Sequence, residues 1–172
     1  MAVHGWGHGQ STAGRGEKTD KNPTDRGKTG VKRSVLCDRT GIPIGLAVDR
    51  ANRHDMKLTQ ATLNSIVLQR PEPGPYHTQH LFLDKGYDFD EARQFAEEFG
   101  YTAYIKSRSD EAEELRTDIR KKARRWVVER THRWLNRFRR ILVRWEKKAE
   151  NHVGLLHFVF DLIAFRSLGI DV

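Results

Sequence analysis

The sequence lacks the features that mark several common classes of protein. Its 172 residues include a single cysteine, Cys37, so no intrachain disulfide can form. No apolar stretch reaches the roughly 18 residues that a membrane-spanning helix requires. The first residues, MAVHGWGHGQ, contain no continuous apolar run of the kind found in a secretory signal. These absences argue against a disulfide scaffold, a membrane protein and an exported protein, and they favour a reducing cytoplasm.

Acidic residues are missing from the beginning of the chain. Residues 1–16 contain no aspartate or glutamate, and the first 30 residues show neither helical nor strand periodicity. This stretch is rich in glycine, threonine, lysine and aspartate, a composition that is typical of loops. We therefore predict a disordered or irregular N-terminal segment over residues 1–27, followed by one domain over residues 28–172.

Positive charge is present in excess. The chain has 31 lysines and arginines against 23 aspartates and glutamates, which gives a formal net charge of +8. The apolar fraction of 37% is low but sufficient for the core of one domain. Because a cationic protein attracts polyanions, nucleic acid is the first candidate partner and an anionic membrane surface the second.

The order of strand-like and helix-like segments predicts an α/β domain. Apolar runs at 31–38 and 42–49, separated by the short turn RTG, predict a β-hairpin. Asp55 is a plausible N-cap for a helix that the prolines of PEPGP end. The remaining segments predict a strand at 80–84, a helix from Asp88 or Asp90 to Phe99, a strand at 101–107, and one or two long helices from about Ala123.

The most basic segment contains one isolated acid. Residues 120–140, RKKARRWVVERTHRWLNRFRR, include ten lysines and arginines and only one carboxylate, Glu129. Helical spacing predicts an apolar stripe facing the sheet, from which Glu129 is excluded, formed by Val127, Thr131, Trp134, Phe138, Ile141 and Trp145. Glu129 then either forms surface ion pairs with Arg125 and Arg133, worth about 0.2 to 0.5 kcal/mol each, or binds a metal ion while the flanking cations bind phosphates.

A second carboxylate strengthens the metal hypothesis. Asp84 ends the apolar run HLFLD, at the end of a strand where open α/β sheets place functional groups. The alternative is that Asp84 caps the following turn or helix. Phosphoryl transfer with metal ions needs carboxylates that converge from different elements, and a strand end combined with a basic helix provides such a pair.

At these residues the sequence resembles the bacterial insertion-sequence transposases of the DDE class. LFLDKGYD resembles the family's second-aspartate motif, RWVVERTHRWLNRFRR its glutamate helix, and NPTDRGKTGVKRSVLCDRTGIPIGLAVDRANRHD its hairpin region. The resemblance extends from about residue 16 to residue 166. It implies a ribonuclease-H-like mixed sheet flanked by helices, with Asp84 and Glu129 as the second and third catalytic acids and as ligands of Mg²⁺ or Mn²⁺.

The same resemblance implies the partners and the remaining site residues. The expected substrate is double-stranded DNA, at the element ends and at the target, and the expected partner is a second identical chain or another transposase chain in the bacterial cytoplasm near the nucleoid. Arg125 matches the arginine of the family signature, whereas Lys122 and Asn136 replace its tyrosine and its lysine. The candidate DNA-binding residues are Lys28, Lys32, Arg33, Arg125, Arg133 and Arg137. For the three near the hairpin, a solvated strand edge is the alternative. His132, on the glutamate helix, either assists proton transfer or contacts solvent or phosphate.

One expected acid has no counterpart in the sequence. The family fold opens with three antiparallel strands, the first of which carries the first catalytic aspartate, but only two strand-like runs precede Asp55. We therefore predict that the first strand is missing, and Asp20, Asp25 and Asp38 are poor substitutes for its acid. The expected protein is the distal part of a transposase that binds DNA but does not cut it alone. The alternative is a non-catalytic, basic DNA-binding remnant or accessory chain.

Overall fold

The computed structural model describes residues 2–11, 16–22, 28–74, 76–84, 87–106, 116 and 125–169. The strands in these ranges are β1 (Ala2–Ser11), β2 (Asp20–Lys21), β3 (Thr29–Asp38), β4 (Pro43–Arg50), β5 (Gln79–Asp84), β6 (Tyr101–Lys106) and β7 (Val143–Arg144). The helices are α1 (Asp55–Asn64), α2 (Asp90–Glu98), α3 (Arg125–Leu135), α4 (Arg139–Leu142) and α5 (Ala149–Ser167). The predicted hairpin and the predicted strands before and after α2 are confirmed.

The strands form one mixed sheet with β1 near its centre. β3 runs antiparallel to β1 on one side and to β4 on the other, and the short β2 pairs with the beginning of β3. β1, β5 and β6 are parallel. On the edge away from β3, β1 pairs with β5 through residues 2 and 3 and with β7 through residues 10 and 11. Two different strands therefore meet the same edge of β1, one at each end.

The presence of β1 corrects two predictions. Residues 2–11, which we predicted to be irregular, form a strand that pairs with β3 from Ala2–Asp38 to Gln10–Gly30. The sheet therefore has the strand that we predicted to be missing. The sequence concealed it because HGWGHG has glycine at every second position, so the alternation of apolar side chains that signals a strand is absent. Backbone hydrogen bonds to β3 hold the segment instead.

The two faces of the sheet are covered by different helices. On one face, Val31 and Val35 of β3 pack with Leu135 of α3 and with Leu156 and Ile163 of α5. On the other face, Leu36 and Leu81 pack with Leu63 of α1 and with Ala92 and Ala96 of α2. Cys37 is fully buried beneath α3, as its position in an apolar run predicts, and burial raises the pKa of its thiol to about 12.

The first helix is shorter than the sequence predicts. The residue before α1 that caps it is His54, and α1 ends at Asn64, well before the prolines. The hydroxyl of Ser65 donates to the carbonyl of Thr62 at 2.7 Å and accepts the backbone N–H of Leu46 at 2.8 Å. Because this serine joins the end of the helix to β4, docking on the sheet rather than proline ends the helix.

The basic helical region is interrupted. α3 ends at Leu135, and the short α4 and the two-residue β7 follow it, so the predicted stripe does not continue along one helix. Val127, Thr131 and Ile141 are buried as predicted, but Trp145 lies after β7 and is 62% exposed. None of the helices in the described part of the chain combines the length and the apolar character needed to cross a membrane.

Candidate active site

Asp84 is the last residue of β5, beside the central strand. β1 pairs with β5 in parallel at Ala2–Leu81 and Val3–Phe82, so extending this register by two residues brings Gly5 level with Asp84. Phe82 packs on the α3 side of the sheet, and alternation along the strand assigns position 84 to the same side. The side chain of Asp84 lies outside what the structure describes.

α3 approaches β1 most closely at Gly5. A Cβ atom at Gly5 would lie 2.6 Å from Cγ2 of Val128, so the helix packs directly on the backbone of β1. The ring of His132, one turn further along α3, hydrogen-bonds to the backbone of Gly5. His132 therefore packs between helix and sheet, which makes it a structural contact and not the solvated or phosphate-binding residue considered from the sequence.

Glu129 lies on the exposed side of α3, one turn before His132. Its side chain is exposed, and among the described side chains it forms no ion pair with Arg133. The side chain of Arg125, the other predicted ion-pair partner, is outside the described set. Residues that are three apart in a helix are neighbours on its surface, so Glu129 occupies the same flank as His132, which touches β1 at the level of Asp84.

The opposite flank of α3 is fastened to the turn between β3 and β4. The hydroxyl of Thr131 donates to the carbonyl of Gly41 at 2.7 Å, and the guanidinium of Arg130 donates to the carbonyl of Thr40. Thr131 is fully buried. Two anchors on one flank and His132 on the other fix the rotation of α3 about its axis, and this rotation directs Glu129 away from the core.

Buried charges lie beneath the second half of β1. Arg33, opposite Gly7 in the sheet, is 3% exposed and donates to the carbonyl of Ile141 at 3.4 Å, and burial lowers the pKa of its guanidinium to about 10. Burial, together with the charge of Arg33, lowers the pKa of His132 to about 4. The positive charge of Arg33 thus disfavours protonation of His132, and the ring stays neutral at ordinary pH.

A second group of polar side chains lies next to Arg33. Glu146 forms an ion pair with Arg140, and its other carboxylate oxygen lies 3.5 Å from Nδ1 of the fully buried His152. Burial, followed by the charges of Arg33 and Arg144, lowers the pKa of His152 to about 4, although Glu146 acts in the opposite direction. The interior on this side of β1 therefore carries charges that are held by backbone carbonyls and by one carboxylate.

The structure corrects two of the candidate DNA-binding residues. Lys32 is 7% exposed and forms an ion pair with Asp55, and Arg33 is buried as described above. Neither side chain can reach a DNA phosphate from the surface. Lys32 and Arg33 are consecutive, so their side chains lie on opposite faces of the sheet. Both are buried because β3 lies between two other strands and helices cover both faces.

The exposed cations are concentrated on and after α3. Arg133, Arg137 and Arg139 are exposed, and within the described part of the chain none of them forms an ion pair. Lys28, which immediately precedes β3, is also exposed. Arg133 lies one turn after Glu129 on the exposed surface of α3, and Arg137 and Arg139 follow the end of this helix.

No counterpart of the first acid of the expected triad is found among the residues that the structure describes. β1 carries no carboxylate, and Asp38 accepts hydrogen bonds from Thr40 and Ile42 in its own turn. Asp20 accepts from Asn52 at 3.0 Å, and Asp25 lies outside the described residues. Among the side chains that are described, no group of three or more histidines, cysteines or acids could hold a metal ion.

Comparison with known proteins identifies the family. The family model of the transposase DDE domain matches residues 7–159, from β1 into α5. The chain belongs to the DDE transposase family. A putative transposase for insertion sequence element IS402 of Burkholderia cepacia is 32% identical over 161 residues, which cover 88% of this chain and 70% of that protein. The resemblance seen in the sequence is therefore confirmed, and the general activity of the family is DNA transposition.

Three features of α3 and of the strands beneath it were not predicted from the sequence. The approach of Val128 to Gly5 and the burial of Arg33 depend on how distant segments pair, which the sequence does not state. The alignment of Trp126, Arg130 and Trp134 on one flank of α3 was available from their spacing of four residues. We assigned Trp134 to the core stripe and gave no role to Trp126 or Arg130.

Proposed function

We propose that this chain binds insertion-sequence DNA along α3 and holds a divalent metal ion with Asp84 and Glu129, as part of metal-dependent DNA cleavage and strand transfer. The contact of α3 with β1 at Gly5 carries the proposal. It supports a convergence of the two acids because Gly5 is level with Asp84 and is bonded to His132, on the flank of Glu129.

The strand order supports a ribonuclease-H-like fold. Three long antiparallel strands, β1, β3 and β4, precede α1, and the parallel strands β5 and β6 follow on the other side of β1. This is the arrangement that the family resemblance implies. In it the first, second and third acids belong to β1, to the end of β5 and to α3.

The donor set fits one metal ion. Mg²⁺ is commonly held by one or two carboxylates, with waters and substrate phosphates completing its coordination. Asp84 and Glu129 would provide the two carboxylates, and when bound the ion would stabilise negative charge on a phosphate that undergoes substitution. Arg133 and Arg137 would bind neighbouring phosphates and fix the register of the DNA on α3.

The site is incomplete at β1. A third carboxylate from β1 would complete the expected triad, but β1 has no acid, and Val128 fills the space above Gly5. We infer that this chain binds element DNA without cutting it efficiently. The same observation favours the second candidate function, a non-catalytic DNA-binding chain that acts together with an intact transposase.

Metal affinity and DNA affinity test the two parts of the proposal separately. We expect Asp84→Asn and Glu129→Gln each to weaken Mn²⁺ binding, followed by electron paramagnetic resonance, by about tenfold, because each removes a carboxylate ligand. The matched control is Glu150→Gln, which removes an exposed glutamate from α5. Unchanged Mn²⁺ affinity in both site variants would exclude this metal site.

Duplex DNA binding should depend steeply on salt, since several arginines would displace counterions from the phosphates. Fluorescence anisotropy over a range of salt concentrations measures this slope, and Arg133→Gln and Arg137→Gln should each reduce it by roughly one unit. Salt-independent binding would contradict the DNA-binding surface. Efficient cleavage of element-end DNA by the chain with Mg²⁺ would instead contradict the incompleteness of the site.

We also propose that a second copy of the chain covers α5. Leu155, Phe158, Leu162 and Phe165 follow one another at intervals of three, four and three residues, the spacing of a helix that packs on another helix. Phe158 is 61% exposed and Phe165 is 38% exposed. Antiparallel pairing about the middle of the stripe would bring Phe158 of one copy opposite Leu162 of the other, so the stripe is complementary to itself in spacing.

A further inference from the structure

Three side chains form a stacked column on α3. The guanidinium carbon of Arg130 lies 4.4 Å from the centre of the Trp126 ring and 4.8 Å from the centre of the Trp134 ring. The three residues are four apart in sequence, so they follow one another along the same flank of the helix. Each contact is a cation–π interaction, in which the face of the indole attracts the cation.

The column is fixed at its centre. Arg130 also donates a hydrogen bond to the carbonyl of Thr40, in the turn between β3 and β4. A Cβ atom at Gly41 would lie 3.0 Å from Nη2 of Arg130, so the guanidinium packs closely on this turn. The indole of Trp126 is therefore supported by a cation that is itself attached to the sheet.

The outer end of the column is accessible. Trp126 is 43% exposed, whereas Trp134 packs against the core. Trp126 precedes Glu129 by three residues, so the two side chains are neighbours on the surface of α3. An exposed and supported aromatic ring therefore adjoins the candidate metal ligand.

The charge of the column suits a polyanion. Among the described side chains, no carboxylate forms an ion pair with Arg130, and its Nε atom is buried without a hydrogen-bond partner. Arg133, the next exposed cation on α3, follows Trp126 by seven residues, or about two turns. The surroundings of the ring are thus cationic, apart from Glu129.

From this geometry we infer that Trp126 is a stacking platform for an unpaired nucleobase of the bound DNA, beside the metal site. An indole binds any base through its π-face, and stacking of this kind is worth about 1 to 3 kcal/mol per base. A base in the duplex is already stacked on its neighbours, so the platform selects DNA whose bases are exposed at an end or a distortion. The inference rests on the proposed DNA-binding function and adds the structural state of DNA that the site prefers.

The chemistry favours a nucleobase over an apolar protein surface as the occupant. A protein hot spot is surrounded by residues that exclude water, whereas the neighbours of Trp126 on the exposed surface of α3 are Glu129 and Arg133. Positive charge next to an aromatic ring is the combination that single-stranded nucleic-acid sites use, with cations on the backbone and rings on the bases.

The test compares two DNAs of the same sequence, a blunt duplex and a duplex with a single-stranded overhang that contains 2-aminopurine. We expect the full chain to bind the overhang DNA more tightly and to quench the 2-aminopurine fluorescence. Trp126→Ala should lower affinity for the overhang DNA by roughly 5-fold to 150-fold, the range that corresponds to the loss of one stacked base. The affinity of the Trp126→Ala variant for the blunt duplex should stay within a factor of about two of the native value, since phosphate contacts dominate the binding of duplex DNA.

Two further variants separate stacking from folding. Trp126→Phe keeps an aromatic face and should retain most of the preference and of the quenching. Trp145→Ala removes an exposed tryptophan that lies outside α3 and should behave like the native chain. Circular dichroism and thermal melting establish that each variant is folded.

The outcomes distinguish this inference from the proposed function. If Trp126→Ala leaves the overhang preference and the quenching intact, the stacking platform is excluded while DNA binding stands. The stacking platform would also be excluded if Trp126→Ala lost the same factor of affinity for both DNAs. A changed sedimentation coefficient of this variant without a changed preference between the DNAs would exclude it as well. If the native chain binds neither DNA in a salt-dependent manner, the proposed function itself fails.

Discussion

At the scale of single residues, the position of a charge decides what it can do. Lys32 and Arg33 are as basic as Arg133 and Arg137, but they lie on a central strand and are buried, with Asp55 and a backbone carbonyl as partners. Arg133 and Arg137 form no ion pair within the described part of the chain. Only the second group can therefore supply the counterion release that drives DNA binding.

The buried histidine of α5 makes stability depend on pH. The pKa of His152 is about 4 in the folded chain and 6.5 by its ordinary value, so the unfolded chain binds more protons between these limits. The free energy of unfolding should therefore fall as pH falls from about 6.5 to about 4. The contribution of this residue is about 1 to 3 kcal/mol, because one pKa unit corresponds to about 1.4 kcal/mol.

Urea unfolding at several pH values measures this dependence. His152→Gln should flatten the slope between about pH 6.5 and pH 4, since an amide does not titrate there. His157→Gln is the matched control, because His157 lies on the exposed side of the same helix and should leave the slope unchanged. An identical slope in native and His152→Gln protein would show that protonation of His152 does not oppose folding.

At the scale of secondary-structure elements, the sequence predicts those strands and helices whose signals lie within one short segment. The β3–β4 hairpin, β5, α2 and β6 are confirmed because apolar alternation, a short turn and helical spacing are local signals. β1 was missed because its stability comes from backbone pairing with β3 and from α3, which packs directly on Gly5. The break after Leu135 was also missed, since the apolar spacing continues across it while the helix does not.

For the candidate site too, the sequence indicates residues but not the contacts between distant segments. Asp84 and Glu129 were selected from their positions at a strand end and on a basic helix, and both remain proposals. The contacts that relate the two elements, Val128 on Gly5 and His132 on the backbone of β1, join residues that are far apart in sequence. Spacing within one segment carries no information about such contacts.

Gly5 should be intolerant of any side chain. Gly5→Ala would place a Cβ atom 2.6 Å from Cγ2 of Val128, on a short and rigid side chain that cannot swing away, so it should lower the free energy of unfolding by about 1 to 3 kcal/mol. In the Val128→Ala background the same change should cost much less, because the obstructing methyl groups are gone. Urea denaturation of the two single variants and the double variant gives the coupling energy.

Gly154 provides the control for this prediction. It lies on the exposed side of α5 with nothing near its Cβ position, so Gly154→Ala should be neutral or should stabilise the helix by up to about 1 kcal/mol. Equal effects of Gly5→Ala in the native and Val128→Ala backgrounds would indicate that the helix does not rest on β1 at this point.

At the scale of the whole molecule, the two helical surfaces on one face of the sheet have opposite characters. α3 presents cations, a tryptophan and one carboxylate, whereas α5 presents phenylalanines and leucines at helix-packing intervals. An arrangement in which α5 contacts a second copy leaves α3 free for DNA. Two copies joined in this way would each present one α3.

Self-association through α5 can be tested with one substitution on the exposed stripe. Phe158→Asp introduces a charge where Phe158 of one copy would face Leu162 of the other, so sedimentation velocity should show a dimer for the native chain and a monomer for the variant. Val67→Asp places the same charge at a position that is 90% exposed and outside α5, and it should remain dimeric. Because Phe158 is 61% exposed, its replacement should leave the circular dichroism spectrum unchanged. If the native chain stays monomeric at high concentration, a second copy does not cover α5. If the dimer survives Phe158→Asp, the two copies contact each other at a different surface.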